Sequence, residues 1–198
     1  MKGLSDKEIE ILLILTKDFS TDYNANNITK KIGITSAGAF KAMKNLEKKG
    51  LITGKKMGKA IFYKVNLKDY YTFRTIETLL INESKEEASR WLNEFKDLFN
   101  YVEIAVIFGS IIRYPEKAND IDLLVVFRKE KNNLVNKVID ERRALSIKAI
   151  HLVKQTLKDL DRNLRKKDKV ILSAIKNGCI LCGYDKLLEA VKNVTSIQ

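Results

Sequence analysis

The chain has few residues of the kinds that build disulfide frameworks, metal clusters or membrane spans. Its 198 residues include two cysteines, one histidine and one proline. Cys179 and Cys182 form a C-x-x-C with no second pair and no helix start beside it, which favours thiols packed in a short apolar strand. No apolar run approaches the roughly 20 residues of a membrane helix, and the N-terminus lacks an apolar signal segment. These absences predict no membrane partner and a cytoplasmic location.

Positive charge is what the chain has in excess, and it is concentrated in the first third. Residues 1–68 contain 14 lysines and six carboxylates, so they carry +8 of the formal net charge of +12. The same residues contain no arginine, so the bidentate contact that arginine makes to guanine cannot come from them. With 45% apolar residues the chain can bury sizeable cores, and its length allows one or two domains.

The patterns in residues 4–67 predict a helix, a short helix, a third helix and a hairpin, in that order. Ser5 is a plausible N-cap for the first helix, and Gly33 stops the second. The third helix, over 37–49, has Phe40 on its expected buried side. Two strand candidates follow, at 51–53 and 60–65. The residues between them, 54–59, form a basic tip that contains two glycines.

This order of elements resembles the winged helix-turn-helix family of DNA-binding proteins. The resemblance implies base contacts near the start of the third helix, from Ser36, Ala37, Lys41 or Asn45. It implies phosphate contacts from the lysines of that helix and of the tip: Lys41, Lys44, Lys48, Lys55, Lys56 and Lys59. Winged-helix proteins commonly bind palindromic DNA as dimers, so a homodimer on DNA is expected. Alternatively, the lysines form a solvated surface on a small protein-interaction domain.

Two helices are predicted between this segment and the next apolar strand. Their apolar stripes lie within residues 69–82 and 84–99, and the aromatic residues in them are expected to be core. The expected domains are therefore 1–68, a helical linker or packing region at 69–99, and a C-terminal domain at 100–198.

The most specific chemical pattern lies in the second half of the chain. An apolar strand candidate at 104–108 leads into Gly109 and Ser110, where a sharp turn can direct free backbone N–H groups toward an anion. After a spacer of nine residues come Asp120 and Asp122, at the start of a second buried strand. Period-two alternation places the two carboxylates on the same face, where they would bind Mg²⁺ that bridges to phosphates.

Gly-Ser, a spacer of nine and Asp-x-Asp between two apolar strands resemble the signature of the DNA polymerase β-like nucleotidyltransferase superfamily, and most of all its minimal nucleotidyltransferase branch. The resemblance implies that Gly109 and Ser110 hold a nucleoside triphosphate and that Asp120 and Asp122 hold Mg²⁺. Arg113 matches an arginine often found in the helix after Gly-Ser. The expected fold class is α+β: an N-terminal winged helix, then a nucleotidyltransferase fold with a small mixed sheet flanked by helices.

The third carboxylate of that family is missing. It should lie on the next strand, predicted at 145–153, which contains no acid. His151 falls where the aspartate belongs; a neutral imidazole is a poor Mg²⁺ ligand, although it can act as a general base. Alternatively, His151 is an ordinary, partly buried residue at a degenerate site. Tyr114 and Asn119 also depart from the family's pattern, so we expect nucleotide binding with slow transfer or none.

The leading function from these patterns is that of a DNA-binding transcriptional regulator whose second domain binds nucleotide and Mg²⁺. One alternative is an active nucleotidyltransferase, which would transfer a nucleotidyl group from a nucleoside triphosphate to a hydroxyl of a protein or nucleic acid. Pyrophosphate would leave in that reaction. The other alternative is a non-catalytic partner module that resembles the antitoxin half of a toxin pair.

Overall fold

The computed structural model describes residues 3–195 and divides into two compact units, Met1–Leu79 and Leu80–Gln198. Its class is α+β, as predicted, with a two-stranded antiparallel hairpin in the first unit and a four-stranded mixed sheet in the second. The boundary between the two units falls within a single helix, α4 (Tyr70–Glu87). Within the described residues, no helix combines the length and the apolarity needed to cross a membrane.

Five elements precede α4 in the first unit. They are α1 (Asp6–Lys17), α2 (Ala25–Ile32), α3 (Ser36–Lys48), β1 (Ile52–Met57) and β2 (Ala60–Val65). Side chains cap each helix start: Ser5, Asn24 and Thr35 each accept a hydrogen bond from a backbone N–H in the following turn. Gly33 ends α2 in the left-handed conformation, with a φ of 63° that glycine adopts at little cost. The predicted cap at Ser5 and stop at Gly33 are therefore confirmed.

The buried face of α3 differs from the prediction. Ala39, Met43 and Leu46 are completely buried, whereas Phe40 is 53% exposed, so the expectation of a buried Phe40 is wrong. The buried residues follow one another at four and three positions, which is the spacing of one helix face. Phe40 lies just beyond the edge of that face, where the first unit does not cover its side chain completely.

The hairpin is longer than predicted. Strand β1 continues to Met57 and pairs with β2 along its whole length, with Lys55 opposite Phe62 and Lys56 opposite Ile61. Only the two residues after Met57 form the turn. The predicted tip at 54–59 is thus mostly strand, because antiparallel pairing continues through its first four residues.

Helix α4 continues where the sequence pattern predicts a break between residues 82 and 84. The hydroxyl of Ser84 donates to the carbonyl oxygen of Leu80 at 2.9 Å instead of capping a new helix, so Ser84 lies inside the helical ladder. A short helix, α5 (Ser89–Glu94), and a 3₁₀ turn (Lys96–Asn100) follow.

The remaining elements of the second unit are four strands with helices between and after them. In chain order they are β3 (Ile104–Phe108), α6 (Ser110–Arg113), β4 (Asp120–Val126), a 3₁₀ turn (Lys129–Lys131), α7 (Asn132–Leu145), β5 (Ala149–Gln155), α8 (Leu157–Arg165), α9 (Lys169–Asn177), β6 (Cys179–Cys182) and α10 (Tyr184–Thr195). The strand predicted at 145–153 therefore begins four residues later, because α7 continues to Leu145. His151 is inside that strand, as predicted.

The four strands of the second unit are ordered β5-β4-β3-β6. Strand β3 is antiparallel to β4 and β6, whereas β4 is parallel to β5, so the sheet is mixed. The two central strands are almost entirely buried, in a core that includes Trp91 and Phe95, which explains their continuous apolar runs. The two cysteines lie in β6 as expected, and burial raises the pKa of the Cys182 thiol to about 12.

Glu8 is a carboxylate buried in the first unit, with 4% exposure. It accepts hydrogen bonds from the backbone N–H of Ser5 at 2.8 Å and from the side-chain amide of Asn45, while the Lys49 ammonium lies 3.4 Å away. Burial by itself raises the pKa of Glu8, but the hydrogen bonds from Ser5 and Asn45 and the charge of Lys49 outweigh it and lower that pKa. Ionised Glu8 therefore joins α1 to the C-terminal half of α3.

We expect Glu8→Ala to lower the free energy of unfolding by about 1–3 kcal/mol, because hydrogen bonds to a buried charged group are lost. Glu10→Ala is the matched control: it removes an exposed carboxylate of the same helix that pairs with Lys7, and should cost no more than about 0.5 kcal/mol. Denaturant unfolding followed by circular dichroism at neutral pH measures both values. Equal losses in the two variants would contradict the role assigned to Glu8.

The same experiment has a defined pH dependence. Because folding lowers the pKa of Glu8, its stabilising contribution is fully present above the unfolded pKa of the carboxyl group. The contribution is lost as the pH falls through the lowered folded value, so the difference between the wild type and Glu8→Ala should shrink under acid conditions. A difference that grows on acidification would show that the sign of the shift is wrong.

Candidate functional site

Asp120, Asp122 and His151 come together at one end of the sheet in the second unit. Asp120 begins β4, and the alternation of the strand places Asp122 on the same face. Strand β5 runs parallel to β4 in a register that sets His151 opposite Asp122. The His151 Nδ1 atom is 3.6 Å from Asp120 Oδ2 and 3.6 Å from Asp122 Oδ1. The sequence pattern therefore identified the three residues that the register brings together.

Within residues 3–195, this is the one group of three or more histidine, cysteine or acidic side chains whose ligand atoms lie within 4.8 Å of one another. The side chains of Asp120 and Asp122 are 38% and 28% exposed, and that of His151 is 60% exposed, so the cluster is open to water. In this described part of the chain, neither carboxylate pairs with a lysine or an arginine. A separation of 3.6 Å is too long for a hydrogen bond, so His151 does not donate one to either carboxylate.

Gly109 brings the turn after β3 into direct contact with this cluster. The antiparallel register pairs Phe108 with Asp122, so the next residue, Gly109, lies beside the Asp122 carboxylate. Gly109 has a φ of 84°, which disfavours every residue except glycine. A Cβ atom at this position would collide with Asp122 Oδ2 and lie 3.3 Å from Asp122 Cγ. The turn and the carboxylate therefore occupy adjoining space, with no room for a side chain between them.

The other two residues predicted for this site, Ser110 and Arg113, lie in the short helix that follows the Gly109 turn. Ser110 is exposed at the first position of α6, directly after the Gly109 turn. Arg113 is exposed at the last position of α6, and no described residue forms an ion pair with it. Asp140 of α7 does not complete the cluster either, because its carboxylate lies outside it and pairs with Arg143 at 3.0 Å. No carboxylate of the described chain thus takes the place that His151 occupies.

Sequence patterns did not reveal the part that Lys148 plays. Its ammonium donates to the carbonyl oxygen of Ala118, two residues before Asp120. This hydrogen bond ties the loop that enters β4 to the residue that precedes β5. Lys148 therefore holds the two strand starts together beside the cluster. A lysine in front of a strand carries no signal for such a partner, because the two residues are 30 positions apart in the sequence.

The outer face of α3 is the candidate nucleic-acid interface in the first unit. Lys41 and Lys48 are exposed there, and neither lysine has a carboxylate partner among residues 3–195; Ser36 is exposed at the first position of the helix. Lys44 pairs with Glu47 at 2.7 Å, and Asn45 donates to Glu8, so these two are already engaged within the unit. An open cleft of about 840 Å³ lies along this face, with Ser5, Gly38, Lys41 and Lys48 in its lining.

The lysines of the hairpin point in different directions. A Cβ atom on Gly54 would meet Glu47 of α3 and Tyr63 of β2, so Gly54 faces the helix. Lys56 is two residues further along β1 and shares that face, whereas Lys55 points to the opposite one. Lys59 lies in the turn. A ligand that approaches one face of the hairpin therefore meets Lys55 or Lys56, and not both.

Comparison of the chain with protein-family models, with curated protein sequences and with solved structures found no match. Its function therefore has to be inferred from its own residues. Two groups of residues are informative: the cluster of Asp120, Asp122 and His151 beside the Gly109 turn in the second unit, and the exposed lysines of α3 in the first unit.

The contact between Gly109 and Asp122 can be tested with a double-mutant cycle. Gly109→Ala should lower the stability of the second unit by more than the roughly 1–3 kcal/mol that this glycine-specific backbone conformation costs other residues, because the new methyl group also meets the carboxylate. Asp122→Ala should recover the excess when it is added to Gly109→Ala. Unfolding is followed by the fluorescence of Trp91, the one tryptophan of the chain, which is buried in this unit.

Asp120→Ala is the matched control, because it removes a carboxylate from the same strand face without touching the Cβ position of residue 109. In the Gly109→Ala background it should recover nothing beyond its effect in the wild type. Equal recovery by both aspartate substitutions would mean that the turn is not packed against Asp122.

Proposed function

We propose that the protein is a DNA-binding regulator: its first unit is a winged helix-turn-helix, and its second unit is a nucleotidyltransferase fold that binds a nucleoside triphosphate with a divalent cation. The observation that carries the proposal is the outer face of α3, where Lys41 and Lys48 are exposed without carboxylate partners in the described chain. This face is followed directly by a hairpin with further lysines. Charge that is gathered on one helix face, and not merely in excess, is the footprint of a DNA-binding surface.

In the proposed complex α3 lies in the major groove. Ser36 and Lys41, in its first two turns, contact bases, and Lys48 contacts a phosphate. Lys56 and Lys59 of the hairpin contact the DNA backbone. Lys44 and Asn45 would have to loosen their contacts with Glu47 and Glu8 to reach DNA, so they are weaker candidates than Lys41 and Lys48. A homodimer on a palindromic site remains part of the proposal.

The nucleotide part of the proposal is supported by the Gly109 turn and the two aspartates. The triphosphate would lie against Gly109 and the hydroxyl of Ser110, and the cation would lie between the triphosphate and the carboxylates of Asp120 and Asp122. Because α6 has only four residues, the turn and the hydroxyl supply this contact and not the dipole of a helix. Both carboxylates are partly exposed, so they are accessible to a cation that arrives with the nucleotide.

The same proposal holds that the protein transfers a nucleotidyl group slowly or not at all. Oxygen donors suit Mg²⁺, and two of the three side chains in the cluster provide them. The third donor is an imidazole nitrogen, which suits Mg²⁺ poorly, so the complete set does not fit this ion. An active nucleotidyltransferase is the second candidate, favoured by the intact aspartate pair, and rapid incorporation of labelled nucleotide by the wild type would support it.

The DNA interface predicts a difference between two neighbouring lysines. Lys56→Ala should reduce the slope of log affinity against log salt concentration by about one unit, because one phosphate contact is lost. Lys55→Ala, which removes the same charge from the opposite face of the hairpin, is the matched control and should leave the slope unchanged. Fluorescence anisotropy with a labelled duplex of mixed sequence measures both slopes. Equal slopes for Lys56→Ala and the wild type would exclude the hairpin from the interface.

The nucleotide site predicts that Asp120→Asn together with Asp122→Asn abolishes metal-dependent binding of ATP. The two amides keep the shape of the side chains but remove both charges, so the fold should be retained, which Trp91 fluorescence checks. Asp140→Asn together with Glu141→Gln is the matched control, since it removes two carboxylates of α7 that are outside the cluster. Titration calorimetry with ATP and a divalent cation gives the outcome. Unchanged binding in the first double variant would remove the site from these aspartates.

A further inference from the structure

The third donor of the cluster is a nitrogen atom, and nitrogen changes which cation the cluster prefers. Carboxylate oxygens are compatible with many divalent ions, including Mg²⁺. An imidazole discriminates among them, because it suits first-row transition metals and is a weak ligand for Mg²⁺. The Nδ1 atom of His151 faces both carboxylates at equal distances of 3.6 Å, so the nitrogen belongs to the cluster and not to its surroundings.

The geometry accommodates one cation. Bonds of about 2.0–2.2 Å from a metal to nitrogen and oxygen place neighbouring ligand atoms about 2.8–3.1 Å apart in an octahedral arrangement and about 3.3–3.6 Å apart in a tetrahedral one. The two observed separations of 3.6 Å lie at the upper end of these ranges, and all three ligand atoms lie within 4.8 Å of one another. The exposed side chains can make the remaining adjustment by rotating. Two adjacent metal ions would need carboxylates to bridge and surround them, and within the described residues the cluster offers only two.

Two features of the surroundings favour a bound cation over an empty cluster. The carboxylates of Asp120 and Asp122 converge with no lysine or arginine pairing in the described chain, which leaves two negative charges on one small surface. The Gly109 turn lies directly beside the Asp122 carboxylate, so that side chain has no room to move toward the turn. Lys148 binds a backbone carbonyl instead of either carboxylate, although it precedes β5 by one residue.

We propose that Asp120, Asp122 and His151 bind a single first-row divalent transition-metal ion in preference to Mg²⁺. This assignment rests on the proposed function, since it names the cation that the nucleotide site holds. Two oxygens and one nitrogen leave at least one coordination position open on the exposed side of the cluster. Water or a phosphate oxygen would fill that position, while the nitrogen fixes the choice of metal.

The first test compares Co²⁺ with Mg²⁺ by titration calorimetry on the wild type without nucleotide. We expect Co²⁺ to bind at least about tenfold more tightly than Mg²⁺, because loss or gain of a suitable ligand changes metal affinity by such factors. His151→Asp should narrow the preference: Co²⁺ binding weakens and Mg²⁺ binding strengthens. Asp140→Asn serves as the matched control and should change neither affinity. Equal affinities of the wild type for the two ions would overturn the proposal.

The second test uses the fact that the chain contains one histidine. Pulsed electron paramagnetic resonance of Mn²⁺ bound to protein without an affinity tag should show coupling to an imidazole nitrogen. Any such coupling comes from His151, so it should disappear in His151→Ala while the fold, monitored by Trp91 fluorescence, is unchanged. Mn²⁺ that binds without nitrogen coupling would contradict the assignment, since the metal would then be held by oxygen alone.

The two proposals fail in different ways. If the cluster binds Mg²⁺ as tightly as Co²⁺ and ATP binding still requires the two aspartates, the metal assignment is wrong and the nucleotide site stands. If Co²⁺ binds with nitrogen coupling but ATP does not bind, the metal assignment stands and the nucleotide site is wrong. If neither Co²⁺, Mg²⁺ nor ATP binds to the folded wild type, both are wrong.

Discussion

The absence of a side chain at Gly109 is the constraint on which the candidate site depends. The pairing of Phe108 with Asp122 sets the turn and the carboxylate side by side, and only a residue without a Cβ leaves room for both. The positive φ of Gly109 then directs the chain into α6 instead of across the carboxylate. Strand β5 pairs in parallel with β4 on the side opposite β3, and this register places His151 beside Asp122. Two strand registers and one glycine thus assemble the cluster.

The first unit uses its charges in two ways. Glu8 is held ionised in the interior by Ser5, Asn45 and Lys49, and this group of contacts fixes α1 against α3. Polar residues of α3 that serve this internal purpose are lost to any ligand. Lys41 is exposed on the same helix without a carboxylate partner in the described part of the chain, and its charge is therefore directed to solvent or to a bound polyanion. The division between structural and available charge is set by helix geometry and not by residue type.

Local patterns predicted the features that depend on a few neighbouring residues. The strand before Gly109, the carboxylates of Asp120 and Asp122 on one face, and the helix stop at Gly33 all follow from periodicity or from backbone conformation. The exposure of Phe40 did not, because the packing of the whole unit decides which edge of a helix is covered. The hydrogen bond between Asn45 and a glutamate 37 positions earlier was equally inaccessible to a local pattern. Long-range contacts decide such partners, and no spacing in the sequence records them.

The most direct test of the central claim is anomalous diffraction from crystals soaked with Mn²⁺ and a non-hydrolysable ATP analogue. The assignment predicts one anomalous peak bonded to oxygen atoms of Asp120 and Asp122 and to a nitrogen of His151, with the triphosphate against Gly109. A peak coordinated by phosphate oxygens alone, with His151 turned away, would contradict the metal centre. A nucleotide bound elsewhere on the protein, with no peak between the aspartates, would contradict the site as a whole.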